Sequence, residues 1–215
     1  MKTLIFLLAA LSTLLLSEET RVVNLTATTP SITTNDHGHK ITIERIQDTE
    51  YRLTDDFTKT SRVCPPFCIQ PIKPVPGVHN IEELELIDFI KNKIPSKKGL
   101  LIDARLRSWY ESETIPGAIN IPFKLATNDN PKVISKLFSL LGAKPNADGT
   151  FDFSKAKELV VFCNGVWCEQ SPAFMRGLVK NGYPAEKLYF YRSGFQGWKI
   201  LGLTTVIHKA NEAKK

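Results

Sequence analysis

From residue 78 onward, short apolar runs of strand length alternate with longer segments that have the periodicity of amphipathic helices. The apolar runs are 100–102, 118–121, 159–162 and 188–191. Strands that are apolar on both faces are typical of parallel sheets covered by helices. The alternation therefore predicts an α/β domain with a central, mostly parallel sheet flanked by helices.

Three segments between these runs have helical signals. We expect a first helix from residue 81 to about 92, with Asn80 as its N-terminal cap. Its predicted apolar positions are Leu84, Ile87, Phe89 and Ile90. A second helix is predicted over 133–141, and a third begins at Ser171 as the cap and ends before Gly182.

The first 17 residues have the pattern of a secretory signal peptide. Lys2 precedes the apolar block 4–16, which is too short for an ordinary membrane span, and Ser17 precedes two glutamates. Cleavage after Ser17 predicts an exported protein, periplasmic or secreted, in a compartment where disulfides persist. The alternative is a buried helix or an uncleaved anchor, and only an uncleaved segment would bring the chain to a membrane.

An N-terminal extension precedes the α/β domain. Alternation at Ile41 and Ile43, followed by residues 51–53, predicts short β-strands. Five prolines in residues 64–77 exclude a helix and a central strand, so this stretch is predicted to be a stiff connector at the domain boundary. The predicted division is 1–17 signal peptide, 18–76 extension and proline-rich connector, 77–208 α/β domain, and 209–215 polar tail.

The charge pattern argues against one class of partner. The chain has 28 Lys+Arg and 22 Asp+Glu, a formal net charge of +6. These charges are scattered, with no basic stripe interleaved with aromatic residues, so we expect no nucleic-acid binding.

Cys163 directly follows the apolar run 159–162 and lies shortly before a helix start. In parallel α/β sheets, ligands bind beyond the carboxyl ends of the strands. Backbone N–H groups of such a loop, with the helix dipole, favour an anion, and therefore a nucleophilic thiolate. On spacing alone, a buried and inert cysteine is an equal alternative. The remaining loop residues are Asn164, Gly165, Val166, Trp167, Cys168, Glu169, Gln170 and Ser171.

Four motifs between about residue 79 and residue 206 resemble those of a rhodanese domain, the sulfurtransferase fold. They are Leu-Ile-Asp-Ala-Arg at 101–105, Ile-Pro-Gly-Ala-Ile-Asn-Ile-Pro at 115–122, Val-Val-Phe-Cys at 160–163, and Gly-Phe-Gln-Gly-Trp at 194–198 followed by Gly202 and Leu203. The resemblance implies a rhodanese-like three-layer domain in which Cys163 is the catalytic residue and no cofactor is needed. It also implies a small sulfur-containing donor and a thiol or cyanide acceptor, with a protein as a candidate sulfur acceptor.

By the same resemblance, Cys163 would hold sulfur as a persulfide, stabilised by the loop amides. Asp103 and Arg105 would brace the loop. The loop departs from the family pattern because residues 164–170 contain no Lys or Arg and Glu169 adds a negative charge. This loop is therefore poorly suited to the thiosulfate dianion unless Arg176 or Arg192 compensates.

The loop is also two residues longer than the common form. It thereby resembles relatives that act on larger oxyanions, such as dual-specificity cell-cycle phosphatases. Those enzymes rely on a loop arginine that is missing here, so a phosphatase is not favoured.

The sequence allows two interpretations of Cys168. Cys168 is a candidate resolving thiol that attacks a Cys163 persulfide or sulfenate and closes a disulfide, or it only packs beside Trp167. The first reading leaves open an alternative function, a thiol/disulfide redox or binding module that transfers no sulfur.

Cys64 and Cys68 are predicted to form a local structural disulfide, because only that pairing leaves Cys163 free. His37 and His39, or His79, lack recognisable metal-ligand spacing, so no metal site is predicted. His208 is expected to be a solvated residue near the lysine-rich C-terminus.

Overall fold

The computed structural model describes residues 22–208, so the predicted signal peptide and polar tail lie outside the described residues. The strands are β1 (Ile32–Asp36), β2 (His39–Ile43), β3 (His79–Ile81), β4 (Gly99–Asp103), β5 (Ala118–Asn120), β6 (Lys144–Pro145), β7 (Phe151–Asp152), β8 (Glu158–Phe162) and β9 (Leu188–Tyr191). The helices are α1 (Glu83–Asn92), α2 (Arg107–Ser112), α3 (Pro131–Leu140), α4 (Gln170–Lys180) and α5 (Gly194–Ile200). No helix within this range is long and apolar enough to cross a membrane.

Five strands form the central sheet, in the order β3-β9-β8-β4-β5. Every neighbouring pair in this sheet is parallel. The predicted parallel sheet is thereby confirmed. Strand β8 lies at its centre, so the residue that follows β8 emerges at the middle of the carboxyl edge.

Two apolar cores lie on opposite faces of the sheet. One contains side chains from α3 and α4 together with Val161 and Phe190 of the sheet. The other contains side chains from α1 and α5 together with Val160 and Tyr191. Because successive residues of a strand face opposite sides, this division gives three layers, as predicted.

The predicted start of the first helix is wrong. Asn80 does not cap α1, because it belongs to β3 and pairs with Phe190. Glu82 is the cap, and it forms a capping box with Glu85. Leu84 is not part of the buried face, since it is 55% exposed. The buried face of α1 consists of Leu86, Ile87, Phe89 and Ile90.

The third predicted helix also begins differently. Its cap is Glu169, and α4 begins at Gln170, so Ser171 lies in the first turn rather than at the cap position. This frees the Ser171 hydroxyl from a capping role.

The N-terminal extension contains an antiparallel hairpin of β1 and β2, which confirms that it is a short β-containing segment. Residues 51–53 are not a strand, contrary to the prediction. The chain after β2 pairs instead with a distant segment, since Arg45 bridges to Leu203 and Ile46 N–H donates to the Gly202 carbonyl. Ile32, Ile43 and Phe57 of the extension lie in the same core as α1 and α5.

His208 is not a solvated residue. A bridge between Thr114 and Val206 holds the last described residues against α2, and the His208 N–H donates to the Glu111 carbonyl. The His208 side chain is 17% exposed and contacts Asp36. His208 and Asp36 are 172 residues apart in the sequence, so no local pattern indicated this contact.

Candidate active site

Cys163 lies at the carboxyl end of β8, and its loop is anchored to the start of α5. The Cys163 carbonyl accepts the Phe195 N–H at 2.8 Å, and the Asn164 carbonyl accepts the Gln196 N–H at 2.9 Å. In a trans peptide the N–H points opposite to the C=O. These two bonds therefore turn the N–H groups of Asn164 and Gly165 away from α5, toward the two loop cysteines.

Several donors converge on the Cys163 sulfur. The Ser171 hydroxyl lies 2.9 Å from Sγ. The backbone N–H groups of Ser171 and Gly165 and the Cys168 thiol also donate to it. Helix α4 holds both Ser171 donors in fixed positions, because the residue lies in its first turn. This set of donors is suited to a sulfur anion.

The two loop cysteines have opposite acidities. Cys163 is 2% exposed, and burial by itself would raise its pKa. Hydrogen bonds from Cys168, Ser171 and Gly165 outweigh that effect and lower the pKa of Cys163. Burial, the hydrogen bond to Cys163 and the charge of Cys163 raise the pKa of Cys168. Of the two thiols, Cys163 is therefore the one that ionises more readily, which makes it the candidate nucleophile, while Cys168 stays protonated.

Protonation changes one contact of Cys163. As a thiol, Cys163 donates through Sγ to the Cys168 carbonyl oxygen at 3.3 Å. As a thiolate it has no proton to give to that oxygen, whereas the donors from Ser171, Gly165 and the Cys168 side chain remain. Both cysteines are unpaired.

Asp103 and Arg105 form a fully buried ion pair behind the loop. The Arg105 guanidinium donates to both Asp103 carboxylate oxygens, at 2.6 to 3.1 Å, and Thr114 donates to one of them at 2.8 Å. A further nitrogen of Arg105 lies 3.3 Å from the Asn164 side-chain oxygen. The ion pair therefore contacts the loop through the Asn164 side chain. In this position the pair supports the loop and is not placed to react.

The two arginines that were candidates to offset the loop's charge have other partners. Arg176 forms an ion pair with Glu169 and so neutralises that carboxylate. The Arg192 guanidinium donates to the Gln70 carbonyl at 2.8 and 3.2 Å.

Sequence reasoning missed a third cation, Arg62. Its guanidinium carbon lies 3.8 Å from the centre of the Trp167 ring. Its Nε is buried and has no hydrogen-bond partner within residues 22–208. No motif pointed to Arg62, since it lies in the extension, about a hundred residues before the loop.

Residues 62–70, which we call the cap segment, cover part of the active-site loop. Cys64 and Cys68 form a disulfide within it. The Gln70 N–H donates to the Val166 carbonyl at 2.8 Å. The Phe67 ring packs edge-on against Trp167, with 5.5 Å between ring centres. The proline-rich stretch is thus more than a connector, because it contacts two residues of the loop that follows Cys163.

A groove of about 1170 Å³ lies elsewhere on the domain, between α3 and α4. Its lining includes Lys132, Arg176 and Lys180 but not Cys163. The groove is large, but it is not the site of cysteine chemistry, because Cys163 lies at the carboxyl end of β8 and does not line it.

The fold and the site together define a class: a three-layer α/β domain whose central strand delivers a cysteine into a loop of backbone donors. The sequence profile of the rhodanese-like domain family matches residues 86–201, which is more than half of the chain. The protein belongs to the rhodanese-like domain family.

Several solved structures are similar to this chain. A protein from Bacillus halodurans has 18% identity and a TM-score of 0.43, covering 63% of this chain and 82% of its own. A human single-domain sulfurtransferase has 24% identity and a TM-score of 0.38, covering 58% and 97%. An As-Sb reductase from Leishmania major has 22% identity and a TM-score of 0.40, covering 58% and 79%. A comparison with curated proteins found no match.

Proposed function

We propose that the protein is a sulfurtransferase that moves sulfane sulfur through a persulfide on Cys163. The observation that supports this most directly is the convergence of Ser171, Gly165 and Cys168 donors on one sulfur at the carboxyl end of β8. The same donors that favour a thiolate also favour the terminal anion of a persulfide. Membership of the rhodanese-like family supports the same reaction class.

The loading step forms one sulfur–sulfur bond and breaks another. The Cys163 thiolate attacks the outer sulfur of a donor R–S–S⁻, forming Cys163–S–S⁻ and releasing R–S⁻. With thiosulfate as the donor, sulfite is the leaving group. Total charge is conserved in both cases, and no oxidant or reductant is required.

The transfer step restores the thiolate. A thiophilic acceptor, such as cyanide or a thiolate, attacks the outer persulfide sulfur and leaves with it. Cyanide becomes thiocyanate, and the electron pair of the broken bond returns to Cys163. The persulfide before transfer and the thiolate after it each carry one negative charge. The Ser171 and Gly165 donors can therefore stabilise the anion in both states.

Charge at the site is compatible with more than one anionic donor. The Glu169 carboxylate is paired with Arg176, and Arg62 on the cap segment contributes a further positive charge beside Trp167. Because these arginines offset the negative charge of the loop, a low-molecular-weight persulfide and the thiosulfate dianion are both candidate donors. Because Cys163 is 2% exposed, the donor reaches the sulfur only when the loop or the cap segment moves.

Intact-protein mass spectrometry tests this proposal. After incubation with polysulfide, the parent should gain one sulfur atom, and cyanide should remove it. Cys163→Ser should not gain sulfur. The matched variant Cys168→Ser and the double variant Cys64→Ser/Cys68→Ser should still gain it. Equal loading of Cys163→Ser and the parent would show that Cys163 is not the sulfur carrier.

A second candidate function is thiol/disulfide chemistry between Cys163 and Cys168, supported by the burial of both free thiols in one loop and by the hydrogen bond from Cys163 Sγ to the Cys168 carbonyl. Attack of Cys168 on a Cys163 persulfide would form the Cys163–Cys168 disulfide and release hydrosulfide, and a dithiol would then be needed as the reductant. Thiol trapping in a graded redox buffer distinguishes the functions. A reversible disulfide in the absence of any sulfur loading would favour the redox module.

The proposal places the protein outside the cytosol. The Cys64–Cys68 disulfide and the signal-peptide pattern of residues 1–17 support this. Fractionation of cells that express the full chain, with mass determination of the mature N-terminus, tests it. An unprocessed chain found only in the cytosol would contradict the proposed location.

A further inference from the structure

Two distant segments bring metal-ligating side chains together near the start of β5. Asp36 and His37 lie at the turn of the β1–β2 hairpin, and His208 lies at the end of the described chain. Each of these three residues offers a ligand atom, and all three atoms lie within 4.8 Å of one another. Tyr110 of α2 lies beside them.

The carboxylate is fixed in place. Asp36 is nearly buried, and one of its oxygens accepts the Gly117 N–H at 2.8 Å. The other oxygen lies 2.8 Å from His208 Nε2. A carboxylate that is already oriented by the backbone loses little freedom when it binds an ion.

The backbone of His37 is held in an uncommon conformation. Its φ is +47°, in the left-handed region, and the next residue, Gly38, also has a positive φ. A side chain in this region costs about 1–2 kcal/mol. The conformation places the His37 ring 4.7 Å from the His208 ring and its Nε2 2.7 Å from the Tyr110 hydroxyl.

Hydrogen bonding does not satisfy every polar atom of the cluster. His208 Nδ1 is buried and has no hydrogen-bond partner within residues 22–208. A cluster that served only as a hydrogen-bonded latch would be expected to pair this nitrogen. Within the described residues, hydrogen bonds therefore account for Nε2 of His208 but not for Nδ1.

We propose that Asp36, His37 and His208 bind one divalent first-row transition metal ion, with Zn²⁺ as the reference ion and water in the remaining position. Two imidazoles and a carboxylate match the ligands that such ions prefer. Ligand bonds of 2.0–2.2 Å place neighbouring ligand atoms about 3.3–3.6 Å apart in a tetrahedral site. The 4.8 Å span must therefore shorten on binding, which the exposed position of His37 at a hairpin turn allows.

Binding would connect the extension and the C-terminal end to the sheet, because Asp36 is bonded to β5 through Gly117 and His208 follows the bridge at Val206. The ion would therefore raise the thermal stability of the chain. This role does not depend on Cys163, so the site and the proposed sulfurtransferase reaction can be tested separately.

Cobalt and zinc titrations test the site. Free thiols are competing ligands for such metals, so the titration uses the full chain with Cys163→Ser and Cys168→Ser, beside the parent. The double-serine chain should bind one equivalent of Co²⁺ and give d–d absorption with no sulfur-to-cobalt charge-transfer band, and the parent should bind at least one equivalent. Zn²⁺ should displace the cobalt and raise Tm.

Substitutions then assign the ligands. His208→Ala and Asp36→Asn should each weaken Zn²⁺ binding at least tenfold, whereas His39→Ala, a histidine on the same hairpin outside the cluster, should not. If His208→Ala fails to fold, His37→Ala replaces it, since that side chain is exposed at a turn. No metal bound to the double-serine chain, or equal binding by the parent and His208→Ala, would overturn the proposal. Equal weakening by His39→Ala would overturn the ligand assignment.

Discussion

The Ser171 hydroxyl lies 2.9 Å from the Cys163 sulfur, and the Ser171 backbone N–H donates to the same atom. One residue in the first turn of α4 thus supplies two of the donors that lower the pKa of Cys163. Ser171 is fully buried, so water does not replace its hydroxyl if that group is lost. The ionisation of Cys163 therefore depends on Ser171 more than on any charged side chain of the loop.

Ser171→Ala should raise the pKa of Cys163 and slow sulfur loading at neutral pH by roughly 10- to 100-fold, since a hydrogen bond to a charged group contributes about 1.5–3 kcal/mol. Loading rates from rapid-quench mass spectrometry measure the effect. Ser139→Ala, a serine on the exposed side of α3, is the control and should load at the parent rate. A parent-like rate for Ser171→Ala at every pH would exclude the hydroxyl from thiolate stabilisation.

The opposite pKa shifts of the two cysteines predict selective alkylation. Since the pKa of Cys163 is lowered, its thiolate persists as the pH falls below the ordinary thiol pKa, down to its own folded value. Cys168, whose pKa is raised, stays protonated over the same range. Iodoacetamide should therefore label Cys163 first at every pH from mildly acidic to neutral, as read by peptide mass spectrometry. Preferential labelling of Cys168 would reverse the assignment of nucleophile and donor.

Much of the sheet was predictable because its strands are local apolar runs, and β4, β5, β8 and β9 all appear close to their predicted positions. Cys163 was recognisable for the same reason, since it directly follows one of those runs. The start of α1 was not predictable, because whether Asn80 caps a helix or joins a strand depends on pairing with Phe190, more than a hundred residues away.

The parts of the site that the sequence did not reveal come from long-range contacts. Arg62 and the cap segment reach the loop across about a hundred residues, and no local pattern marks which surface a proline-rich stretch will cover. Ser171 was included as a loop residue, but its local signal indicated a helix cap. Its contact with Cys163 depends on how the loop turns before α4 begins.

Removing the cap disulfide should expose the active-site sulfur. In Cys64→Ser/Cys68→Ser the cap segment loses its covalent constraint, and its contact with Trp167 should loosen. If this eases opening by about 1.4 kcal/mol, Cys163 alkylation accelerates about tenfold. Alkylation kinetics at fixed pH provide the measurement. Ile69→Ala, an exposed change within the same segment, is the control and should leave the rate unchanged. An unaltered alkylation rate in Cys64→Ser/Cys68→Ser would mean that the cap segment does not limit access to Cys163.

The buried Asp103–Arg105 pair should matter for stability. Asp103→Ala leaves the Arg105 guanidinium buried without its main partner, a change that typically costs about 3–5 kcal/mol in the free energy of unfolding. Urea denaturation measures this loss. Arg107→Ala is the control, because that arginine is 78% exposed in its pair with Glu111, and its effect should be below about 1 kcal/mol. Similar losses for the two variants would show that the buried pair has no special role in the domain.

Gly194 tests how closely α5 holds the active-site loop. Its φ is +59°, and a Cβ there would lie 2.5 Å from the Cys163 carbonyl oxygen and 2.8 Å from the Gly165 nitrogen. Both neighbours are backbone atoms that cannot move without shifting the loop. Gly149 offers a matched control, because its φ is +84° but a Cβ there would meet nothing within 4 Å.

Both glycine-to-alanine substitutions introduce left-handed backbone strain of about 1–2 kcal/mol. Gly194→Ala adds overpacking of about 1–3 kcal/mol and should displace the Gly165 N–H from Cys163. Urea denaturation should therefore show the larger loss for Gly194→Ala, and only that variant should lose sulfur loading. If both variants lost equal stability and Gly194→Ala still loaded sulfur at the parent rate, the contact with α5 would not be what orients the loop donors.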